Sequence, residues 1–492
     1  MSKTDKFNIP KEVSHVTETL ENAGFEAYIV GGCVRDLLIG KTPKDWDVTT
    51  NAKPEDIEKL FENTYYNNDY GTVGMVNEEV KDETLKVIEV TPYRLESEYS
   101  DSRRPDSVKF SDSIEHDLKR RDFTINAIAY SESKGQIIDL FDGQKDIADR
   151  VIRAVGDPDV RFSEDALRIL RAIRISAELG FKIEEKTKKA IKNDAKMLEK
   201  IAKERIRDEF IRIIMSDRPM ESLELAHEMG VLQFVVPELE EGIGVNQNQA
   251  HSFTVWEHNL RAVKHSADKK HSFEIRLSAL FHDIGKPETS RWSDEKKDWT
   301  FYGHDVVGGR MTKKILERLK FPKKQMDKIV KLVRWHLFFS DTDQMTLSAV
   351  RRMVKNVGEE NIWDLMDVRE SDRIGMGRPK ANPYRLRKYK SMIEEALRDP
   401  VSVKMLKIDG ARIMEITNEK PGPKIGFILH ALLEEVLDDP KLNISEYLEK
   451  TAKKLIKLSE KELKKLGEKG KDKKDAVEEK EIEGLRGKHW VK

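Results

Sequence analysis

Residues 25–50 read FEAYIVGGCVRDLLIGKTPKDWDVTT. The β-branched and aromatic run Phe25 to Val30 predicts a strand, Gly31-Gly32 a turn into a short helix, and the stretch around Trp46 to Thr49 a second strand. Residues two apart on a strand share a face, so Asp45 and Asp47 are expected to project their carboxylates together. Two carboxylates that close repel unless something positive neutralises them. Mg2+ suits the task, since it prefers oxygen ligands and triphosphates. A pair of such ions can activate an attacking hydroxyl and stabilise a leaving pyrophosphate. The double glycine lets backbone N–H groups approach phosphate closely, and Arg35 supplies a nearby cation. A lone DxD is commonly a solvated turn, and a lone GG a bend. Their succession over 31–47 is what points to chemistry. Glu89 lies in a later strand pattern, either as a third carboxylate beside the metals or as a solvent-facing residue.

Outward from this stretch, strand signals recur at 72–76, 85–91 and 136–141, and FTINAIAY (123–130) reads as an apolar helix. From about 160 the apolar residues recur three and four apart, which predicts helices almost to the end. The reading is an α+β chain. A mixed-sheet head covers 1–153, helical segments cover 154–240, 241–375 and 376–455, and a charged tail covers 456–492. Residues 451–492 hold 14 Lys and Arg against 9 Asp and Glu. Beyond Gly467 that composition predicts disorder, as a solvated tail or an RNA-attracting arm.

The 492 residues suggest about three domains at roughly 150 residues each. Lys plus Arg number 89 and Asp plus Glu 90, a net charge of −1. That excludes a globally basic nucleic-acid binder but permits a locally basic groove. Cys33 is the sole cysteine, so an intramolecular disulfide framework is excluded. No apolar run approaches the roughly 18 residues that span a bilayer. The opening MSKTDKFNIP lacks the apolar core of a leader, and a cytoplasmic protein without a membrane partner is expected.

Four further motifs follow the glycines and DxD in order. They are Asp117-x-x-Arg120-Arg121-Asp122-Phe123 with Asn126, and Asp139-x-x-x-Gly143-x-x-Asp146 with Arg153. Then come Glu164-Asp165-x-x-Arg168-x-x-Arg171-x-x-Arg174, running into Leu179-Gly180-Phe181, and Glu204-Arg205 with Glu209. This collinear set resembles the bacterial and eukaryotic class (class II) of tRNA nucleotidyltransferases, the CCA-adding enzymes, and their poly(A) polymerase relatives. The resemblance implies a polymerase-beta-like nucleotidyltransferase head, an all-helical neck and body, and Mg2+ held by the catalytic Asp45 and Asp47. It implies that Gly31, Gly32, Arg35, Arg120, Arg121, Asp122, Asn126 and Arg171 hold the sugar and triphosphate; Arg174 fits either that role or a solvated face.

The family extends tRNA 3′ ends with C, C and A from CTP and ATP without a nucleic-acid template, so protein groups must read the base. Cytosine and adenine share an exocyclic amino donor beside a ring-nitrogen acceptor. A carboxylate accepts from the first and a guanidinium donates to the second. Asp165 and Arg168, three apart on an expected helix, share a face and are the base-reading pair by resemblance. The polar stretch Glu98 to Phe110 (EYSDSRRPDSVKF) reads as a loop, which in this family accompanies addition of the terminal A. NNDYGTVGMV after Tyr66 looks more like the tRNA branch than the poly(A) branch. The implied partners are the tRNA 3′ acceptor end, CTP and ATP.

A second constellation comprises His258, the run Phe281-His282-Asp283-Ile284-Gly285-Lys286-Pro287, His304, His336 and Asp372. It resembles an HD-type metal-dependent phosphohydrolase domain. The resemblance makes His258, His282, Asp283 and Asp372 the defining ligands, and His304 and His336 additional ones. Imidazole with carboxylate suits a divalent metal whose identity the sequence leaves open. Water bound to it could attack a small phosphoester such as a 2′,3′-cyclic phosphate. His251 competes with His258, and Asp364 and Asp367 with Asp372. Pro421-Gly422-Pro423 opens a helix that could grip an RNA phosphate or could simply be a helix start. Three rival readings stay open: an A-adding or poly(A) polymerase, a hydrolase centred on the histidine block, and a non-catalytic RNA-binding protein. Oligomeric state is not legible.

Overall fold

The computed structural model describes residues 7–67, 71–96, 108–248, 252–338, 345–398 and 403–490. Two compact units divide the chain, one formed by 1–336 with 367–379, the other by 337–366 with 380–492.

The first unit begins with α1 (Lys11–Asn22), β1 (Ala27–Val30), α2 (Gly32–Leu38), β2 (Trp46–Thr50), α3 (Pro54–Leu60), β3 (Thr64–Asn67), β4 (Thr72–Val76), β5 (Val87–Pro92), β6 (Arg94–Glu96) and β7 (Val108–Phe110). It continues with α4 (Ile114–Lys119), β8 (Ile128–Ser131), β9 (Gln136–Asp139) and α5 (Gly143–Asp149). Seven strands form one sheet in the order β3-β4-β5-β2-β1-β8-β9. Only β2 and β5 pair in parallel within it. Alternation sorts the side chains. Ile29, Val48, Val90 and Val73 point into a core closed by Val13, Val16 and Leu20 of α1 and Ile57 of α3. The next residue along each strand faces the other way, and Asp47 stands opposite Glu89 there.

The segment 123–130 is not the expected helix. A single 3-10 turn, Thr124–Asn126, leads into β8 between β1 and β9. Every residue of β8 is buried, and a strand buried on both faces shows no alternation to distinguish it from a helix. Of the expected loop 98–110, residues 98–107 lie outside the described residues, and β7 closes its end.

The chain then turns helical: β10 (Val151–Ile152), α6 (Pro158–Glu164), α7 (Leu167–Leu179), β11 (Lys182–Ile183), α8 (Glu185–Asp194), α9 (Lys203–Met215), α10 (Pro219–Glu228), α11 (Val255–Asp268), α12 (Phe273–Phe281) and α13 (Lys286–Thr289). A short hairpin, β12 (Arg291–Ser293) and β13 (Asp298–Thr300), precedes α14 (His304–Arg318) and α15 (Lys323–Trp335). One apolar core runs from Phe123 and Ile125 through α7, α9 and α12 to Ile329 and Val333 of α15. The expected division near 240 falls between α10 and α11, and this core extends on both sides of it.

The second unit contains α16 (Leu347–Val357), part of α17 (Ile362–Gly375), α18 (Tyr384–Leu397), α19 (Gly410–Thr417), α20 (Pro423–Asp438), α21 (Ser445–Leu455) and α22 (Glu460–Lys488). The disorder expected beyond Gly467 is corrected by α22, which runs to Lys488. Ser459 and Glu462 form a capping box at its start. Leu463 packs into the core of α20 and α21, and Lys469 pairs with Glu434. Composition alone understates such a helix, because it lies against a partner helix far away in sequence. No helix among the described residues is long and apolar enough to cross a membrane.

Candidate active site and metal centre

The strand β1 ends at Gly31, whose φ of +88° only glycine adopts without strain. A Cβ there would lie 2.8 Å from Arg121 Nη1 and 3.5 Å from Asp47 Oδ2. The glycine therefore lets the arginine and the aspartate close over the turn. Asp47 projects from β2. Asp45 lies in the bend just before that strand, a shift from the expected strand position, yet it borders the same cleft. That cleft has a volume of about 580 Å3, and all twelve residues that the sequence assigns to catalysis and nucleotide binding line it: Gly31, Gly32, Arg35, Asp45, Asp47, Arg120, Arg121, Asp122, Asn126, Asp165, Arg168 and Arg171.

Three carboxylates converge on its floor, Asp45, Asp47 and Glu89. Burial pushes the Asp47 carboxyl up to about 7; Arg121 opposes the rise, and the charges of Asp45 and Glu89 add to it. Glu89 is raised too, by desolvation first and Asp45 second. A floor with surplus negative charge and oxygen-only donors fits a hard divalent cation.

Arginines form the wall. Asp117 is fully buried and takes Arg120 on Oδ1 and Arg121 on Oδ2 at 3.0 Å each. Burial raises its carboxyl, but the two arginines outweigh that and hold it below the ordinary range. Asp122 accepts from Phe123 N (2.8 Å), Asn126 Nδ2 (3.1 Å) and Arg171 Nε (2.8 Å). Burial would lift this carboxyl as well; Arg171 and Asn126 instead hold it well below its usual value. Asn126 Oδ1 in turn accepts from Arg35 Nη1 at 2.7 Å. Asp122 and Asn126 therefore act as the brace that aims Arg35 and Arg171. Arg174 is buried against Glu209 (2.6 Å) and Glu178 (2.8 Å), which favours a structural role for its charge.

The expected base-reading pair differs from a simple helical i, i+3 couple. Asp165 is extended, between the end of α6 and the start of α7, and only Arg168 is helical. Asp165 Oδ1 caps Leu167 N (3.1 Å), and Arg205 donates to both its oxygens, at 3.3 and 2.7 Å. Arg168 donates to the Arg161 carbonyl (2.9 Å), to the Arg120 carbonyl (3.0 Å) and to Glu164. Both side chains line the cleft. Arg205 and Glu89 were given no firm site role by the sequence. The pairing of β5 beside β2 is the signal that places Glu89; nothing local to Arg205 announces that it reaches 40 residues back.

The histidine block folds around a second centre. His258 lies on α11, and His282 and Asp283 in the turn directly after α12. His304 begins α14, His336 ends α15, and Asp372 lies on α17. All six are buried. A Cβ on Gly285 would lie 2.4 Å from the His304 carbonyl and 2.6 Å from Gly308 N, so this glycine lets α14 dock on the His282-Asp283 turn. His282, His304 and His336 each donate Nδ1–H to the carbonyl three residues earlier, at 2.7 Å in every case. That bond turns Nε2 inward as the ligating nitrogen.

Two three-residue groups result, His258, His282 and Asp372, and Asp283, His304 and His336. Asp283 joins them. Its Oδ2 lies 3.0 Å from His258 Nε2 and 3.2 Å from His282 Nε2, and its Oδ1 3.3 Å from His304 Nε2 and 3.5 Å from His336 Nε2. His258 Nε2 and His282 Nε2 stand 2.8 Å apart, a spacing that requires a proton or a cation between them. Burial pulls the His282 imidazole down, yet Asp283 and Asp372 outweigh it and push it up to about 10. The mixed imidazole and carboxylate donor set fits divalent metal. Asp364 is not in either group, Asp367 instead lies 3.9 Å from His271, and His251 lies outside the described residues.

Residues 27–153 match the Poly A polymerase head domain, 180–243 the probable RNA and SrmB-binding site of polymerase A, and 250–376 the HD domain. The CCA-adding enzyme of Lactobacillus helveticus is 32% identical over 473 residues, which cover 92% of this chain and 98% of that one. The chain belongs to the CCA-adding enzyme family. The family member of Leuconostoc mesenteroides is 45% identical over 261 residues, 52% of this chain and 63% of its own. Among solved structures, the Bacillus stearothermophilus CCA-adding enzyme in complex with CTP aligns with a TM-score of 0.58 and 27% identity over 90% of this chain and 96% of that one. The Thermotoga maritima CCA-adding enzyme complexed with tRNA shares the fold, at a TM-score of 0.52 and 20% identity over 92% and 97%.

Proposed function

We propose that this chain adds C, C and A to tRNA 3′ ends from CTP and ATP without a template, in the cytoplasm. The observation that carries this reading is that the acidic floor and the Asp165–Arg168 pair line one cleft. A site that joins nucleotides and a site that recognises a base are thereby the same site. Asp45 and Asp47, with Glu89 beside them, would hold Mg2+, which supplies charge neutralisation for the phosphates and a more acidic 3′ hydroxyl. Arg35, Arg120, Arg121 and Arg171 orient the triphosphate, with Gly31 and Gly32 giving it room. The RNA 3′ oxygen bonds to the α-phosphorus as the bond to the β-phosphate bridge breaks, and pyrophosphate leaves. Asp165 accepts from the base amino group. Its carboxylate has about four lone-pair directions and takes three bonds from Leu167 and Arg205, so one remains for the base. Arg168 faces the ring nitrogen.

The test uses a tRNA lacking CCA, offered CTP alone, ATP alone and all four triphosphates, with 3′ ends sequenced. Ordered C, C, A addition is expected; runs of A, or A without prior C, would replace this reading with the poly(A) or A-adding one. Asp45→Ala should abolish incorporation while tRNA still binds. We assign the second centre to metal-dependent hydrolysis of a small phosphoester, a reading favoured by the two ligand groups and by Asp283, whose oxygens face histidines of both.

A further inference from the structure

Tyr65 lies on β3, the edge strand, with 45% of its surface exposed. Strand pairing sets Tyr65 opposite Gly74, Gly74 opposite Glu89, and Glu89 opposite Asp47. Residues directly paired across strands share a face, so all four stand in one row on the face that carries the carboxylates. Gly74 is the seat of the ring: a Cβ built there would fall 2.2 Å from Tyr65 Cε1 and 2.3 Å from Cζ. The tyrosine ring therefore lies over β4, two strands from Asp47, about 10 Å away at ordinary strand spacing.

Arg35, Arg121 and Arg171 border the cleft from the opposite side of β2, whereas Arg94 borders it from the end of β5. Gly31 ends β1, and Arg35 and Asn126 stand beside β1 and β8. A triphosphate drawn to those groups fills that side of the acidic floor. The attacking 3′ oxygen of the RNA must then reach the α-phosphorus from the β5–β4–β3 side, in line with the departing pyrophosphate. On that side the row offers one exposed aromatic surface. Aromatic rings hold single-stranded nucleotides by stacking, worth about 1–3 kcal/mol per base and tolerant of base identity. An enzyme whose primer end changes from the tRNA's own last base to C and then C again needs that tolerance.

We propose that Tyr65 is the platform on which the 3′-terminal base of the RNA primer stacks, placing its 3′ oxygen at the Asp45–Asp47 floor. This inference rests on the nucleotidyl-transfer reading above. The alternative is that the ring merely covers Gly74 at the sheet edge.

The two are separated by a tRNA lacking CCA made in two forms, with its 3′-terminal base present or with that residue abasic. The measurement is kcat/KM for the first C addition. The wild-type chain is expected to use the abasic primer about tenfold less well. Tyr65→Leu should use both forms alike, near the wild-type value on the abasic form, and Tyr65→Phe should keep the wild-type preference. Gly74→Ala, which retains the tyrosine but puts a methyl where the ring lies, should lose the preference too, and carries the test if Tyr65→Leu does not fold. A Tyr65→Leu or Gly74→Ala chain that slows on both primers while keeping their ratio would overturn the proposal and leave the ring as a sheet brace. Failure of the wild-type chain to extend either primer would instead overturn the function itself, and this inference with it.

Discussion

The proposed function assigns single side chains of the cleft two kinds of duty, reading and bracing, and substitutions should separate them. Arg168 touches Glu164 and two carbonyls as well as bordering the cleft, so its removal costs packing and selectivity together. The ratio between nucleotides isolates the second. Arg168→Ala should narrow the preference for CTP and ATP over UTP and GTP by about 5- to 150-fold, the worth of one good base contact at ~1–3 kcal/mol. Unchanged ratios in single-nucleotide incorporation would remove Arg168 as a reader. Asp122 is a brace, buried and paired with Arg171 at 2.6 Å. A carboxyl held below its ordinary value contributes stability that is fully present above about pH 4 and is lost as pH falls through its lowered value. Asp122→Asn should therefore cost about 3–5 kcal/mol at neutral pH by stranding Arg171. The difference from wild type should shrink in acid below about pH 4. Denaturant melts at pH 7 and pH 3 check this; a gap that stays constant would mean Asp122 acts by shape and not by charge.

At the level of elements, both centres draw several of their residues from places where helices or strands end. Asp45 precedes β2, Asp165 separates α6 from α7, His282-Asp283 follows α12, and His336 ends α15. This explains which parts were legible in the sequence. The strand–turn–helix–strand of residues 27–50 announces itself because its apolar pattern is local, and the carboxylates and histidines are marked by residue type and spacing. Long-range facts were not visible: the burial of β8 on both faces, the register that sets Glu89 beside Asp47, the reach of Arg205 to Asp165, and the packing that makes α22 a helix. Each depends on a neighbour distant in sequence, and periodicity reports only on the segment that bears it. Gly285 is a case where an element junction decides chemistry. Gly285→Ala would force its methyl into the backbone of His304 and Gly308, and α14 must shift. Overpacking of that kind costs about 1–3 kcal/mol. The chain should stay folded but lose divalent metal from the Asp283, His304 and His336 group first. Metal content per chain after dialysis against limiting Mn2+ reads this, and full wild-type content in the variant would show that α14 adapts without moving its ligand.

Across the whole molecule, the first unit holds two sites that both call for divalent cations yet differ in donor chemistry. The head offers carboxylate oxygen alone, the second centre four imidazoles with the carboxylates of Asp283 and Asp372. Oxygen donors suit Mg2+, whereas mixed nitrogen and oxygen donors favour transition metals. The two sites should therefore be separable by metal as well as by mutation. After chelation, Mg2+ alone should restore nucleotide addition, and Mn2+ or another transition metal should be required for phosphoester hydrolysis. Asp283→Ala should remove hydrolysis and leave CCA addition within about twofold, because the ion-pair partners of Asp283 among the described residues are the four histidines of this centre and the adjacent Lys286. Asp47→Ala should do the reverse. The apolar core that runs from Phe123 to Val333 supplies a continuous physical link by which one site could sense the other. If Asp283→Ala slowed nucleotide addition by tenfold while the melting temperature held, that core would be transmitting a change of state, and the two activities would have to be treated as one coupled machine.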